Sequence, residues 1–247
     1  MKFLLLWFLT LSVVSPVMDF KNSQLRYPRV QQAYKDKNPE IDRLLNRDKI
    51  LRGSMEIFIR IFKQEKTVEL WAKNKTDKKF ILLTSFPFCA SSGDLGPKRG
   101  QGDSQTPEGF YFINTFNPSS NYYLSLGINY PNPSDKILSH EKNPGGDIFI
   151  HGNCVTIGCI PITDDKIKEL YIFTVEARNN GQDNIPVHIF PMPLTEENLV
   201  ILGQHYKTEP GKLSFWKNLK EGYELFEKTS TIPVVSVSKD GAYHYFR

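Results

Sequence analysis

The sequence predicts an α+β domain that is mostly β, with one inserted helix and a helical extension at its C-terminus. Between residues 54 and 192, short runs of β-branched and aromatic residues alternate with turn-forming residues, which is typical of strands. Apolar residues at helical spacing occur before this region, once within it and again after it. The 247 residues are 40% hydrophobic and 13% aromatic, so the chain can bury a core and is not globally disordered.

The first residues follow the pattern of a secretory signal. Met1-Lys2 is a short basic start, and the stretch from Phe3 to Val14 is almost entirely apolar. An apolar stretch of about a dozen residues is too short to span a bilayer as a mature helix. We therefore predict a signal peptide at residues 1–18, with cleavage between Ser12 and Met18, and export to an oxidising compartment without a further membrane span. An uncleaved anchor is the alternative.

Residues 19–53 are predicted to form an N-terminal helical segment. The segment is polar and charged, but Ile41, Leu44 and Leu45 recur at helical spacing. Such a narrow apolar stripe predicts a short helix at the edge of the domain.

The region at 54–192 is predicted to contain the strands and two long loops. The loop from Ser91 to Gly109 is rich in Gly, Pro and Ser, and loops of that length in compact domains are often functional. The segment from Asn132 to Gly146 is predicted to be a polar loop. Strands are predicted at 55–62, 67–72, 80–83, 109–113, 122–129, 147–150 and 185–190.

The inserted helix is predicted to follow Pro161. Thr163-Asp164-Asp165 suits a helix N-cap, and Gly181 suits the position just past the C-terminal end. Residues 193–247 form the C-terminal extension, with two amphipathic helical patterns and a late strand-like stretch at 234–245. One helical face of the inserted helix would carry Ile167, Leu170, Tyr171, Thr174 and Val175.

Charge and cysteine content restrict the function classes. The formal net charge is +4, from 31 basic and 27 acidic residues, and no basic run is dense enough for a nucleic-acid groove. The three cysteines are Cys89, Cys154 and Cys159. An odd number in an exported chain leaves at least one thiol free, paired between chains, or reactive.

The stretch from Ile150 to Cys159 combines residues that can perform nucleophilic catalysis. A predicted strand ends at His151, a tight turn follows, and the turn ends at Gly158 and Cys159. Attack on a carbonyl carbon needs a thiolate, and a nearby imidazole can take up the thiol proton. A glycine before the nucleophile lets backbone N–H groups approach a developing oxyanion.

Other interpretations of these residues stay open. A cysteine is often a small buried hydrophobe, and a histidine beside a strand is often structural. His151, Cys154 and Cys159 could also bind zinc, but their spacing differs from the usual zinc pairs and no fourth ligand stands nearby. We therefore expect no metal and no cofactor.

Two ordered motifs resemble the L,D-transpeptidase catalytic domain, or YkuD family, and most closely its YafK-like branch. His151-Gly152 and Thr156-Ile157-Gly158-Cys159 match the family's His-Gly and Ser/Thr-x-Gly-Cys, and Thr106 to Gly109 matches its Thr-Pro-x-Gly. The resemblance implies an L,D-transpeptidase-like β-sandwich or barrel at 54–192. It also implies a periplasmic or other cell-envelope location, where the family works on the wall.

The resemblance also implies a role for each motif residue. Cys159 would be the nucleophile and His151 its general base. Gly152 would offer its carbonyl to orient the imidazole, and Gly158 with Cys159 would supply N–H groups to the oxyanion. Thr156 would brace the turn, although an ordinary packing role is equally compatible with its position.

The implied reaction begins with thiolate attack on a peptidoglycan stem peptide at its third residue, a diamino acid. The terminal D-alanine leaves, and an amine of a second stem or of an envelope lipoprotein resolves the thioester. Water in place of the amine would make the protein a hydrolase, and a non-catalytic wall-binding module is a third reading. Most of the family has an Arg shortly after the cysteine, where this chain has Ile160-Pro161-Ile162. Transfer and hydrolysis therefore stay open.

Secondary assignments concern the remaining cysteines and polar residues. The odd cysteine count motivates a Cys89–Cys154 disulfide that leaves Cys159 free. Lys98 and Arg99 are predicted to be solvated loop charges, with a substrate carboxylate as the alternative partner. Tyrosines near the cleft are mostly predicted to be core or edge aromatics, with stacking on substrate as the alternative, and the other histidines to be structural or at the surface. The tyrosines are Tyr122, Tyr123 and Tyr130, and the histidines are His140, His188, His205 and His244.

Overall fold

A computed structural model describes residues 19–139 and 141–246 of the chain. The signal peptide predicted at 1–18 and the prediction for His140 lie outside the described residues. Within the described ranges, no helix combines the length and the apolar character needed to cross a membrane.

The centre of the fold is one mixed sheet of eight strands. The strands are β1 (Met55–Phe62), β2 (Thr67–Asn74), β3 (Ile81–Pro87), β4 (Gly109–Asn117), β5 (Ser125–Ile128), β6 (Phe149–His151), β7 (Ile160–Pro161) and β8 (Ile185–Phe190). Their order across the sheet is β3-β2-β1-β8-β4-β5-β6-β7, and only the β1–β8 and β6–β7 pairs are parallel. The last of these eight strands in sequence, β8, therefore lies in the middle of the sheet.

Six helices and a small hairpin surround the sheet. A short 3-10 turn at Arg52–Ser54 leads into β1. Two further strands, β9 (Val234–Val237) and β10 (Tyr243–Phe246), pair antiparallel as a separate hairpin. The helices are α1 (Phe20–Gln24), α2 (Pro28–Arg47), α3 (Pro133–Leu138), α4 (Thr163–Asn179), α5 (Glu196–His205) and α6 (Pro210–Thr229).

Both faces of the sheet are covered, which explains why strand β1 is apolar almost throughout. Ile57, Ile59 and Ile61 face the larger core, which the sheet shares with α2 and α4. Phe58 and Phe62 lie on the opposite face of β1, and Phe62 packs with α5, α6 and the hairpin. The α+β class predicted from the sequence is confirmed as a mixed α+β fold, with the C-terminal extension forming a layer of its own.

Two predictions about helices were wrong. The N-terminal helix is not short, because α2 runs for 20 residues and buries its stripe against the core. The predicted loop at 132–146 contains α3. Asn132 accepts a hydrogen bond from the Asp135 amide (2.9 Å), and the Asp135 carboxylate accepts one from the Asn132 amide (3.1 Å), which completes a capping box.

Candidate active site

The candidate site lies at the edge of the sheet, where β6 and β7 run parallel. Ile150 pairs with Ile160, and His151 pairs with Pro161. His151 ends β6, and Cys159 directly precedes β7. The structure thus brings the two predicted catalytic residues to neighbouring strands at one edge of the sheet.

His151 is held in a defined orientation. Its side chain is 1% exposed, and its Nδ1 lies 2.5 Å from the carbonyl oxygen of Gly152. A neutral imidazole carries a single N–H, so donation from Nδ1 leaves Nε2 as the proton acceptor. Burial lowers the pKa of His151, while the hydrogen bond to Gly152 acts in the opposite direction. Tyr122, which is 42% exposed, tilts its ring over the imidazole at a centroid distance of 4.6 Å.

The Cys159 thiol is free and partly buried. Burial raises its pKa, and the charge of Asp147 adds to this effect. A hydrogen bond from the Phe149 backbone and the charge of Lys98 act in the opposite direction. Among the described residues the thiol donates to the Asp147 carbonyl at 3.5 Å and not to His151. Catalytic hydrogen bonds in free enzymes are often long and tighten only when substrate binds.

A network of hydrogen bonds shapes the turn before the cysteine. The Thr156 hydroxyl donates to the Cys159 carbonyl (2.7 Å) and accepts from the Gly158 amide (3.0 Å). Thr156 therefore braces the turn. The Gly158 N–H is engaged in this brace, so the expected donation from Gly158 to an oxyanion would require that bond to break.

Only glycine fits at position 158. Its φ of 133° lies in a region that other residues avoid, and a Cβ there would lie 2.9 Å from the carbonyl oxygen of Gln105. The long loop that contains Gln105 therefore lies directly against the turn before Cys159.

The disulfide predicted from the odd cysteine count is confirmed. Cys89 and Cys154 are joined, with their Cα atoms 5.4 Å apart, and Cys159 is the free cysteine. The bond ties the chain after β3 to the turn between His151 and Cys159. It also removes Cys154 from the zinc alternative, and the described residues contain no other group of His, Cys, Asp and Glu arranged for a metal.

Lys98 and Arg99 are not solvated loop charges, so that prediction was wrong. Lys98 is 4% exposed and pairs with Asp103 at 2.5 Å, and Arg99 pairs with the buried Asp135 at 3.0 Å. Burial raises the pKa of Asp135 to about 6 against the opposing effect of Arg99. The loop folds back on itself and over α3. Both cations therefore form ion pairs within the protein.

The Thr-Pro-x-Gly element carries a charge that sequence reasoning did not single out. Glu108 is fully buried and pairs with Lys63 at 3.0 Å. The Gly96 amide and the indole N–H of Trp216 also donate to its carboxylate, each at 2.7 Å. An acidic residue inside an otherwise uncharged motif next to a strand was the available signal.

The remaining predictions concern tyrosines and histidines, which differ in their burial. Tyr130 is buried and Tyr123 is partly buried against the core, as expected for core or edge residues. His188 is buried among aromatic rings on β8, whereas His205 and His244 are exposed. The third tyrosine, Tyr122, contacts the candidate site through its ring over His151.

Sequence relatives agree on the family. The model of the L,D-transpeptidase catalytic domain, YkuD, matches residues 56–189. YafK of Escherichia coli K12, a protein provisionally named as an L,D-transpeptidase, is 40% identical over 189 residues, which is 76% of this chain and 72% of YafK. YafK of Escherichia coli O157:H7 matches with the same identity and coverage.

Solved structures with a similar fold share little sequence with this chain. The helical cell shape determining protein Pgp2 of Campylobacter jejuni matches with a TM-score of 0.45 and 16% identity, over 75% of this chain and 74% of Pgp2. Bd1075 of Bdellovibrio bacteriovorus matches with a TM-score of 0.37 and 24% identity, over 56% of this chain and 48% of Bd1075. The family assignment rests on the sequence matches: this chain belongs to the L,D-transpeptidase catalytic domain (YkuD) family.

Proposed function

We propose that the protein is a peptidoglycan L,D-transpeptidase with Cys159 as its nucleophile and His151 as its general base. The observation that carries this proposal is the arrangement of a free thiol directly before β7, the strand that pairs with β6, and a buried imidazole at the end of β6 whose Nδ1 is fixed by Gly152. That tautomer leaves Nε2 to accept a proton, as a general base must.

The proposed reaction forms and resolves a thioester. His151 takes the thiol proton as sulfur attacks the carbonyl carbon at the third residue of a stem peptide. The protonated imidazole then gives the proton to the leaving D-alanine amine. An acceptor amine attacks the thioester in the second half, passes a proton to His151, and restores the thiol as the new amide forms.

The electrostatics of the site fit a proton transfer that is coupled to attack. Burial raises the pKa of the Cys159 thiol and lowers that of the His151 imidazole, so both favour the neutral pair over the ion pair. A neutral thiol is a weak nucleophile, which would protect the enzyme from unproductive reactions until a substrate carbonyl is in place. Substrate binding would also displace water and bring the imidazole and thiol into contact.

The proposed location and partners follow from this function. Export by the signal peptide at residues 1–18 would place the protein in the periplasm or elsewhere in the cell envelope. Stem peptides are the proposed donor, and a second stem or an envelope lipoprotein is the proposed acceptor. The buried Ile160 and Ile162 replace the cation found after the cysteine in most of the family, so they offer no charge to a substrate carboxylate.

Product analysis with purified sacculi tests the function. Wild-type protein should produce new crosslinks or attached protein, and Cys159→Ala should produce none. Release of shortened or separated stems by the wild type alone would identify a hydrolase on the same scaffold. Unchanged sacculi, with binding retained in Cys159→Ala, would instead identify a wall-binding module.

A further inference from the structure

One peptide group connects His151 to the carboxylate of Asp164, which the sequence predicted only as part of a helix cap. The carbonyl of Gly152 lies 2.5 Å from His151 Nδ1, and the N–H of the same peptide, from Asn153, donates to Asp164 Oδ1 at 2.6 Å. The two ends of an amide are conjugated by resonance. An anion that accepts a hydrogen bond at the N–H end therefore polarises the amide and increases the negative charge on the carbonyl oxygen.

The peptide group is fixed from several sides. A Cβ on Gly152 would lie 2.5 Å from Asp164 Oδ1 and 2.7 Å from the Tyr122 carbonyl oxygen, so glycine is required at this position. The preceding peptide is anchored as well, because the Gly152 amide donates to the Leu124 carbonyl at 3.2 Å. The peptide therefore cannot rotate to find other partners without breaking neighbouring contacts.

Asp164 accepts the hydrogen bond from the Gly152–Asn153 peptide instead of capping its own helix. The sequence predicted Thr163-Asp164-Asp165 as a helix cap, but α4 has no side-chain cap of the usual kind. Asp165 points elsewhere and pairs with Lys37 at 2.5 Å. Two adjacent carboxylates in one helical turn thus have different partners, and only Asp164 reaches the active-site turn.

We propose that Asp164 is a positioning residue that acts through the Gly152–Asn153 peptide to orient His151 and to stabilise its protonated form. The inference rests on the proposed function, in which His151 is the base. A carboxylate that contacts a catalytic imidazole directly would bury its own charge. A peptide placed between the two transmits part of that charge while Asp164 stays exposed to solvent.

The other charged groups near the site have separate partners, and none of them is replaced in the two Asp164 variants below. Asp147 and Lys98 act on the thiol of Cys159. Lys166, which follows Asp165 on α4, pairs with Asp165 at 3.4 Å. A change at Asp164 can therefore be assigned to the Asn153 hydrogen bond and not to a general loss of charge in this turn.

The test compares Asp164→Asn and Asp164→Ala with the matched control Asp165→Asn. Asparagine keeps an acceptor for the Asn153 amide but loses the charge, and alanine loses both. Each variant is made in a Cys159→Ala background, and the pH titration of the His151 imidazole is followed by nitrogen-15 NMR. We expect the titration midpoint to move to lower pH in both Asp164 variants and to stay in place in Asp165→Asn.

The second readout is activity on sacculi, measured with the same Asp164 and Asp165 variants made in the protein that retains Cys159. Replacing a charged acceptor by a neutral one should lower the rate about threefold to tenfold and move the acidic limb of the rate profile to lower pH. His151 titrations that are identical in all three variants would overturn the role of Asp164, even if Cys159→Ala is inactive. Activity that survives Cys159→Ala would overturn the proposed function instead, and the NMR result would still stand.

Discussion

Trp216 of α6 donates its indole N–H to the fully buried carboxylate of Glu108 at 2.7 Å. Glu108 belongs to the Thr-Pro-x-Gly element, and Lys63 of the adjoining β1 end neutralises it. Lys63 also donates to the Thr106 carbonyl at 2.9 Å. The C-terminal layer is thereby hydrogen-bonded to the loop that lies against the turn between His151 and Cys159.

Trp216→Phe should destabilise the protein more than its matched control Trp71→Phe. Trp71 also donates its indole N–H to a carboxylate, that of Glu69 at 2.8 Å, but the Glu69 side chain is 17% exposed and can be solvated. Leaving the buried Glu108 short of a donor should cost about 1.5–3 kcal/mol. Urea unfolding measures both variants, and equal losses would show that the Glu108 contact contributes nothing special.

Gly152→Ala should abolish most activity and leave the fold intact. The new methyl group would overlap Asp164 Oδ1 and the Tyr122 carbonyl, so the peptide that holds His151 must move. A displacement on the order of 1 Å at a catalytic group costs about a hundredfold in rate. The activity assay on sacculi measures this loss.

Gly203→Ala is the matched control for the glycine substitution. Gly203 lies within α5, and a Cβ there would meet Leu213 at ordinary contact distances of 3.5 and 3.8 Å. Alanine in a helix interior should stabilise by about 0.5–1 kcal/mol relative to glycine. Full activity in Gly152→Ala would contradict the importance of the Gly152 carbonyl.

His188 should make the fold sensitive to acid. Burial and, less strongly, Arg60 lower its pKa from 6.5 to about 3. Between these values the unfolded chain binds a proton that the native state does not, so stability is full above pH 6.5 and is lost as pH falls towards 3. The loss attributable to this group is roughly 5 kcal/mol across the window.

His188→Gln should flatten this pH dependence, whatever its effect on stability at neutral pH. The exposed His205→Gln is the control and should keep the wild-type slope. Urea unfolding at several pH values between 4 and 7 compares the slopes. A wild-type slope in His188→Gln would show that His188 is not the acid-sensitive group.

Removing the disulfide should destabilise the chain and loosen the catalytic turn. Cys89 and Cys154 are 65 residues apart in sequence, and closing a loop of that size contributes about 4 kcal/mol in the chain-entropy model. Cys89→Ser combined with Cys154→Ser should lower the unfolding free energy by that order. Cys159→Ser, which leaves the crosslink in place, should change it little, and peptide mapping that finds both Cys89 and Cys154 as free thiols would contradict the pairing.

The sequence was most informative where local pattern decides structure. Runs of β-branched residues predicted most strands, because the alternation of side chains between the two faces of a strand is visible in the strand's own sequence. The two-residue β7 (Ile160–Pro161) has no such pattern, since only its pairing with β6 makes it a strand. The capping box of α3 was visible as Asn132-Pro133-Ser134-Asp135, but the segment's polarity favoured a loop.

The site shows the same division. His151 and Cys159 stand in a recognisable motif eight residues apart in the chain. Tyr122 contacts His151, and Asp164 contacts the Gly152–Asn153 peptide, only through folding of the chain, so no local spacing identifies them. Glu108 has the sequence pattern of an ordinary polar loop residue. The indole that donates to its carboxylate belongs to Trp216, 108 positions later in the chain.

The central claim is that Cys159 is the nucleophile, and intact-mass spectrometry after incubation with a carbapenem tests it most directly. The ring carbonyl of a carbapenem acylates a nucleophilic sulfur and leaves a covalent adduct whose mass identifies it. We expect one adduct on the wild-type protein, mapped by peptide digestion to Cys159, and none on Cys159→Ala. An adduct that persists in Cys159→Ala, or its absence from wild-type protein that still alters sacculi, would contradict the account.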